Sequence, residues 1–391
     1  MENAPVPRDR RVWQEALSLS HAGWDVTVLG PRLTGWPQPS QERCEGISVH
    51  RFELSSASGG LAAWLREYAW ALWRIWAAVR RLSKDGRFDV IHLANPPDVL
   101  VLAVAGQRLR GTALIFDQHD LMPEMAIERF AGAGRPLARV LSVAERLAHK
   151  LTHVSVVANE SFRALALARG GRAPEDVMVV RNGPRLERFV PVEPDPSLAR
   201  GRPHLLVYEG MMGPLDGVDA AIRALAILRL QRHDWHALFL GAGEELPALK
   251  RLVAELNLEE HVEFGGFVSD PELRRAICSA DVCLAPDRRN ALTDVSTLIK
   301  IAEYMAMAKP TVSFALAESR VTAGDSAVYA RDDDHADFAR LVGELLDDPE
   351  RRKGMGREGR ARVEERFSWA HSERALLGAY DRALEKAGST P

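Results

Sequence analysis

The feature that most constrains this chain is an alternation sustained over almost its whole length. Short, apolar, β-branched runs are separated by stretches with helical periodicity. In the first half such runs fall at 24–30, 47–54, 88–95, 113–119, 153–159 and 177–183, with amphipathic helices expected at 10–22 and 136–150 among others. A strand apolar on both faces has no solvent side, so it belongs in a parallel sheet covered by helices. The expected class is therefore α/β, with doubly wound, Rossmann-like sheets.

The alternation breaks once. Pro191, Pro194, Pro196, Gly201 and Pro203 crowd a segment poor in apolar residues. Proline fixes φ and lacks an N–H, so this segment resists helix and sheet and reads as a linker. It divides an N-terminal domain, 1–188, from a second domain, 189–371. The pattern then restarts, with strands expected at 204–210, 236–243, 262–267, 282–286, 310–316 and 327–330. Helices are expected at 219–231, 245–256, 270–279, 296–307 and 335–346, then at 349–366 and 368–386. The last stretch, 372–391, is a candidate to pack back on the first domain. Two such domains facing one another offer a cleft at the carboxyl ends of their strands, where ligands of this fold class bind.

One anomaly stands at the start. The first helical pattern begins near Asp9, yet a doubly wound domain needs a strand before its first helix. The expectation is a polypeptide that begins further upstream, with a β-strand ending at Glu2 and Asn3. The alternative is a sheet with one strand fewer.

Composition excludes several classes. The 391 residues are 46% apolar and 27% charged with a net charge of −3, so nothing draws the chain to nucleic acid. Cys44, Cys278 and Cys283 are too few, and odd in number, for a disulfide framework. Free thiols fit a reducing cytoplasm. Arg8, Asp9, Arg10 and Arg11 precede any apolar run, which argues against a signal peptide. No uncharged apolar stretch reaches the roughly 18 residues a membrane span requires.

The sharpest motif runs from Asn290 to Val312. Thr293, Asp294, Ser296 or Thr297 could cap the helix that follows. The free N–H groups and dipole of its start suit a diphosphate, Ser296, Thr297 and Leu298 offering amides and Lys300 a charge in the first turn. Glu303, three residues on, could accept both hydroxyls of a ribose. A capped surface helix with a Lys–Glu pair explains the same residues. Gly241 and Gly243 follow a strand and let backbone approach a ligand, or simply make a tight turn. His119 ends a strand and could hydrogen-bond a substrate or serve as a structural histidine. Asp120 and Glu124 are candidates for orienting an acceptor or capping a helix. In the pattern at 61–82, Trp70 and Trp73 share an arc with Arg66, Arg74 and Arg80, which suggests contact with a membrane surface as readily as packing between helices. Asp332, Asp333 and Asp334 cannot all face one ion, so a solvated turn is expected there and no metal.

These segments together resemble glycosyltransferase family 4, and the likeness runs along essentially the whole chain. The stretch Glu303-Tyr-Met-Ala-Met-Ala-Lys-Pro-Thr-Val312 is similar to the family's donor-binding helix. The segments beginning at Pro5, with Arg10 and Arg11, at Phe116, at Arg181 and at Gly210 are similar to a subgroup like the bacterial fucosamine transferases of cell-surface polysaccharide assembly. The resemblance implies a GT-B fold of two Rossmann-like domains and a retaining, metal-independent transfer from a nucleotide-diphosphate sugar, without cofactor. It implies Glu303 at the donor ribose, His119 beside the donor sugar, and donor-proximal loops at Gly210, Met211 and Gly213, at Gly241 and Gly243, and at Phe267 and Val268. A UDP-sugar is the first expectation for the donor and a polyprenyl-linked glycan for the acceptor. Arg10, Arg11, Asp120, Glu124, Trp70 and Trp73 fall on the acceptor or membrane side, peripheral on the inner face of the cell membrane.

Two departures stand out. Val295 occupies the place of a family glutamate that contacts the sugar, with Asp294 beside it. Where the family places an Arg and a Lys to clamp the diphosphate, this chain has Met211 or Met212 and Asp216. The clamp is therefore expected from Lys300, the 296–298 amides, the 210–213 loop and Arg288 or Arg289. A sugar-nucleotide 2-epimerase of the same design, or a nucleotide-binding protein without turnover, are the rival readings.

Overall fold

A computed structural model describes residues 6–7, 9–33, 38–54, 61–84, 86–130 and 132–388. The strand expected to end at Glu2 and Asn3 lies outside the described residues. The chain forms two compact units, one of Met1–Arg181 with Ser372–Pro391, the other of Asn182–His371. The division falls after Arg181, where the sequence reading drew it after residue 188.

The first unit contains α1 (Arg10–His21), β1 (Thr27–Leu33), β2 (Gln41–Cys44), β3 (Ile47–Leu54), α2 (Leu61–Leu82), β4 (Val90–Ala94), α3 (Val101–Arg108), β5 (Ala113–Gln118), α4 (Met122–Arg129), α5 (Gly134–Leu151), β6 (Val154–Val157), α6 (Glu160–Gly170) and β7 (Val177–Val179). Asp9 caps α1 by accepting from the Val12 N–H at 3.1 Å. The strands form two sheets, ordered β1-β3-β2 and β4-β5-β6-β7, and the second is parallel throughout. All six residues of β5 are buried, the apolar Ala113–Phe116 and the polar Asp117 and Gln118 alike, as in a strand covered on both faces.

The second unit contains β8 (His204–Glu209), α7 (Val218–Arg229), β9 (Trp235–Leu240), α8 (Leu246–Glu255), β10 (Val262–Gly266), α9 (Asp270–Ser279), β11 (Val282–Ala285), α10 (Ile299–Ala306), β12 (Thr311–Phe314), α11 (Ala317–Ala323), β13 (Ala327–Ala330), α12 (His335–Asp347) and α13 (Pro349–Arg362). Its six strands make one parallel sheet in the order β10-β9-β8-β11-β12-β13. Read in chain order this is third, second, first, fourth, fifth, sixth, the doubly wound order, and winding reverses between β8 and β11. Each unit is thus α/β, with a parallel, Rossmann-like sheet. The last helix, α14 (Trp369–Ala387), carries Tyr380 onto the first unit, where its ring meets Trp24 at 5.1 Å and its hydroxyl lies 3.1 Å from His92 Nδ1. No helix among the described residues is long and apolar enough to cross a membrane.

Candidate functional site

In the second unit, the loops that leave β8, β9 and β10 are laced together by their own backbones. The Gly210 N–H donates to Leu240, Met212 to Ala242, and Gly241 to Gly266, at 3.0, 3.0 and 2.8 Å. Glycine is obligatory at two of these positions. A Cβ on Gly241 would lie 1.8 Å from the Gly210 carbonyl oxygen, and one on Gly243 2.2 Å from that of Met212. The sequence offered these glycines either to a ligand or to a tight turn; the structure uses them to press one loop on another. What the loops leave outward is apolar: Met211 is 58% exposed and Phe267 75%. Gly213 donates its N–H to Asp216 at 2.9 Å, so the aspartate in place of a clamping lysine closes the loop on itself.

α10 starts beside this layer, on the far side of the winding reversal. Its N-cap is Leu298, with no side-chain cap. The capping expected of Thr293, Asp294 or Ser296 is not made there. A short 3₁₀ turn over Thr293–Val295 intervenes, in which Thr293 Oγ1 donates to the Arg288 carbonyl and Ser296 Oγ to that of Leu292 at 2.7 Å. Asp294 accepts from the Ala317 N–H at 2.8 Å and pairs with Arg289 at 3.2 Å. The helix tip, half-exposed over residues 296–299, thus keeps its first amides without a side-chain cap.

Lys300 differs from expectation. Its ammonium does not stand in the open; it is buried and bonded to both carboxylate oxygens of Asp287, at 3.0 and 3.1 Å. It also sits 4.8 Å from the centre of the Tyr208 ring, and Gly210 leaves room for its Cε. Burial disfavours the ammonium, but Asp287, then Tyr208 and Asp216, outweigh that, and the Lys300 pKa is raised. Lys300 is a charged strut joining α10 to the ends of β8 and β11 rather than a free phosphate ligand. Glu303, one turn on, is 2% exposed. Arg288 also departs from its expected role: Asp219 holds it at 2.9 Å and Asp333 at 2.8 Å. Asp333 thereby has an ion-pair role within the expected turn.

In the first unit, His119 leaves the end of β5 with Nε2 on Asp117 Oδ2 at 2.5 Å. Its N–H and that of Asp120 both donate to Asn95 Oδ1, at 2.6 and 3.1 Å. Asp117 is fully buried and bound by Arg11, whose guanidinium also reaches Glu15 at 3.2 Å and the Val180 carbonyl at 2.8 Å. Burial alone would raise the Asp117 pKa; Arg11 and His119 overcome it and hold the carboxyl well below its usual range. Glu15 is pushed up instead, by burial and by Asp117. Glu15, Asp117 and His119 bring possible metal ligands within 4.8 Å of one another, but Arg11 already supplies the positive charge between the two carboxylates. Arg11 is 4% exposed, so its expected place on the acceptor side is not what the structure shows. Glu124 is likewise committed, to Arg169 of α6.

Asn95, Asp117, Glu15, His92 and Tyr380 were not singled out from the sequence. The Asn95-Pro96-Pro97 run after a strand was the one available signal. On α2, Trp64, Tyr68 and Ala71 face the core, while Trp70 and Trp73 are 48% and 51% exposed and stack at 5.1 Å, with Arg74 beside both rings.

Residues 9–183 match the description of a glycosyl transferase 4-like domain, and residues 203–348 that of the glycosyl transferases group 1. A relative from Catenulispora acidiphila, a D-inositol 3-phosphate glycosyltransferase, is 28% identical over 404 residues, covering 97% of this chain and 91% of that protein. Among solved structures, sucrose-phosphate synthase from Thermosynechococcus elongatus superposes with a TM-score of 0.75 at 20% identity, over 94% of this chain and 91% of that one. Anabaena HepE in complex with UDP and glucose does so at 0.66 and 15%, over 89% and 97%.

Proposed function

We propose that this chain, whose two halves match the two glycosyltransferase family models, moves a sugar, with retention of configuration and without a metal, from a nucleotide diphosphate to a cell-surface glycan precursor. The observation that carries the reading is the convergence at the winding reversal of the second unit. Three backbone-laced loops and the tip of α10 meet outside the carboxyl ends of β8 and β11, with Glu303 buried one turn behind that tip. That is where doubly wound sheets bind nucleotides.

The diphosphate would lie on the α10 amides and the 210–213 backbone. Its growing negative charge, as the glycosidic bond breaks, would be met by dipoles that need no reorganisation. Lys300 would act from beneath, fixing the loop through Tyr208 and Asp287. Glu303 would take the ribose hydroxyls, and the exposed Phe267 ring would lie against the base. UDP is the first choice of nucleotide, in keeping with the ligand of the HepE structure. His119, held through Nε2 by Asp117, would turn Nδ1 to a hydroxyl of the sugar. Asp117 and Glu15 beside it are engaged by Arg11, and the leaving phosphate would serve as base in front-face attack.

The exposed Trp70 and Trp73 with Arg74 support a peripheral membrane surface, and hence a polyprenyl-linked acceptor. The likeness to fucosamine transferases rests on the motifs alone. Incubation with UDP-, GDP- and TDP-sugars, with and without lipid acceptor, tests the proposal. Acceptor-dependent nucleotide release supports it; an altered free sugar nucleotide indicates an epimerase; binding without turnover indicates a carrier.

A further inference from the structure

The turn that follows β5 carries His119 and Asp120 side by side. From sequence, Asp120 was open to two roles, capping a helix or orienting an acceptor. The structure removes the first: the N-cap of α4 is Leu121, and no side chain caps that helix. What fixes Asp120 is its own backbone. Asn95, 1% exposed at the end of β4, spends its amide on the turn. Its Oδ1 accepts from the N–H of His119 and from that of Asp120, and its Nδ2 donates to the Asp120 carbonyl at 2.8 Å. The same Nδ2 donates to Asp98 Oδ1 at 2.7 Å, and an acceptor there dictates which way round the amide lies. Leu121 and Met122, both fully buried, pin the far side of the turn. The Asp120 side chain is thus half-buried on a backbone held at three of its polar groups, and among the described residues its carboxylate accepts no hydrogen bond. Burial pushes that carboxyl up from its ordinary range, against His119 and Arg11.

The carboxylates around it are accounted for within the fold. Arg11 serves Asp117 and Glu15, and Arg169 serves Glu124. Asp120 is the carboxylate of this cluster whose charge the fold leaves to something else. A charge held half out of water on an ordered turn, beside a histidine proposed to meet the donor sugar, is placed for a substrate. We propose that Asp120 selects the acceptor: its carboxylate takes a hydrogen bond from a hydroxyl next to the attacking one, and it turns away acceptors that carry a phosphate at their reacting end. The assignment rests on the glycosyl-transfer reading. Like charges face to face in a partly desolvated site repel, whereas a hydroxyl donating to a carboxylate makes a charge-assisted bond. The acceptor is then the hydroxylated end of a glycan already begun, and the reaction follows one that has placed an earlier sugar, rather than charging a bare lipid phosphate or a phosphorylated polyol.

The test compares the native chain with Asp120→Asn and Asp120→Ser at about pH 8, where the native carboxyl is ionised. The first arm needs no turnover. D-inositol 3-phosphate, a phosphorylated polyol, is titrated calorimetrically into each protein. Both variants are expected to bind it at least ~10-fold more tightly than the native chain, with melting temperatures close to the parent's. The second arm uses whichever sugar nucleotide the native chain turns over, with methyl glycosides and their monophosphates as paired acceptors. The native chain is expected to favour the neutral partner by at least ~10-fold in kcat/KM, and Asp120→Asn, which keeps an acceptor for the hydroxyl but loses the charge, to narrow that ratio. Equal affinity for the phosphate in all three proteins, or an unchanged ratio in Asp120→Asn, would overturn the proposal. Release of nucleotide from no donor at all would instead defeat the transfer reading, and the titration would still decide whether Asp120 excludes phosphate.

Discussion

The Lys300 ammonium lies 3.0 Å from Oδ2 of Asp287, with both side chains buried. Removing one partner leaves the other charge without compensation, at a cost of ~3–5 kcal/mol. Lys300→Met is therefore expected to lower stability by that order in urea unfolding, and the double variant Lys300→Met with Asp287→Leu by clearly less. Both should lose nucleotide affinity, because the strut under the Gly210 loop is gone. A double variant that binds nucleotide normally would remove Lys300 from the donor site.

His119 is fixed by Asp117 and Asn95, which leaves it one ring nitrogen for substrate. His119→Ala is expected to reduce kcat by ~10²-fold with KM for the donor changed far less. Steady-state kinetics decides this; an equal loss in KM with kcat intact would make the histidine a binding residue only.

Burial pushes the Asp98 carboxyl up to about 8, against the opposing hydrogen bond from Asn95. An unfolded aspartate ionises near ~3.9. Between these values the native protein holds a proton that the unfolded chain has released. Stability therefore falls as pH rises through this window, by up to about 1.4 kcal/mol per unit, and levels off above it. Asp98→Asn keeps an acceptor for Asn95 and cannot ionise, so urea unfolding across the window should show a flatter slope than the parent. Parallel slopes would mean that Asp98 is charged in the native state.

Trp70 and Trp73 are half out of the protein, so replacing both with serine should change stability by only about 0.5 kcal/mol per site. Binding to vesicles containing anionic lipid is expected to drop several-fold. Unchanged vesicle sedimentation would separate these rings from any membrane.

Much of the fold was legible because burial on both faces writes itself into single strands: Ala327–Ala330 falls where its apolar run predicts, and β5 and β10 within one residue. The break at the prolines marked the passage to the second unit, though the division itself lies at Arg181 and Asn182. The site was legible as a list of segments rather than as a geometry. Arg11 meets Asp117 across 106 residues, and no local pattern announces such a pairing. The same holds for Lys300 and Asp287, where helical spacing suggested an open first-turn charge and a carboxylate at the end of β11 took it. The α10 cap was misplaced because Thr293 and Asp294 found partners in Arg288, Ala317 and Arg289.

The central claim is that the second unit grips a nucleotide at the tip of α10 with Glu303 on its ribose. Calorimetric titration of UDP, GDP and TDP into the native chain and into Glu303→Gln measures this directly. One nucleotide should bind the native protein, and the variant should bind it at least ~10-fold more weakly, about 1.4 kcal/mol, while its melting temperature stays close to the parent's. Equal affinity in the two proteins would contradict the account.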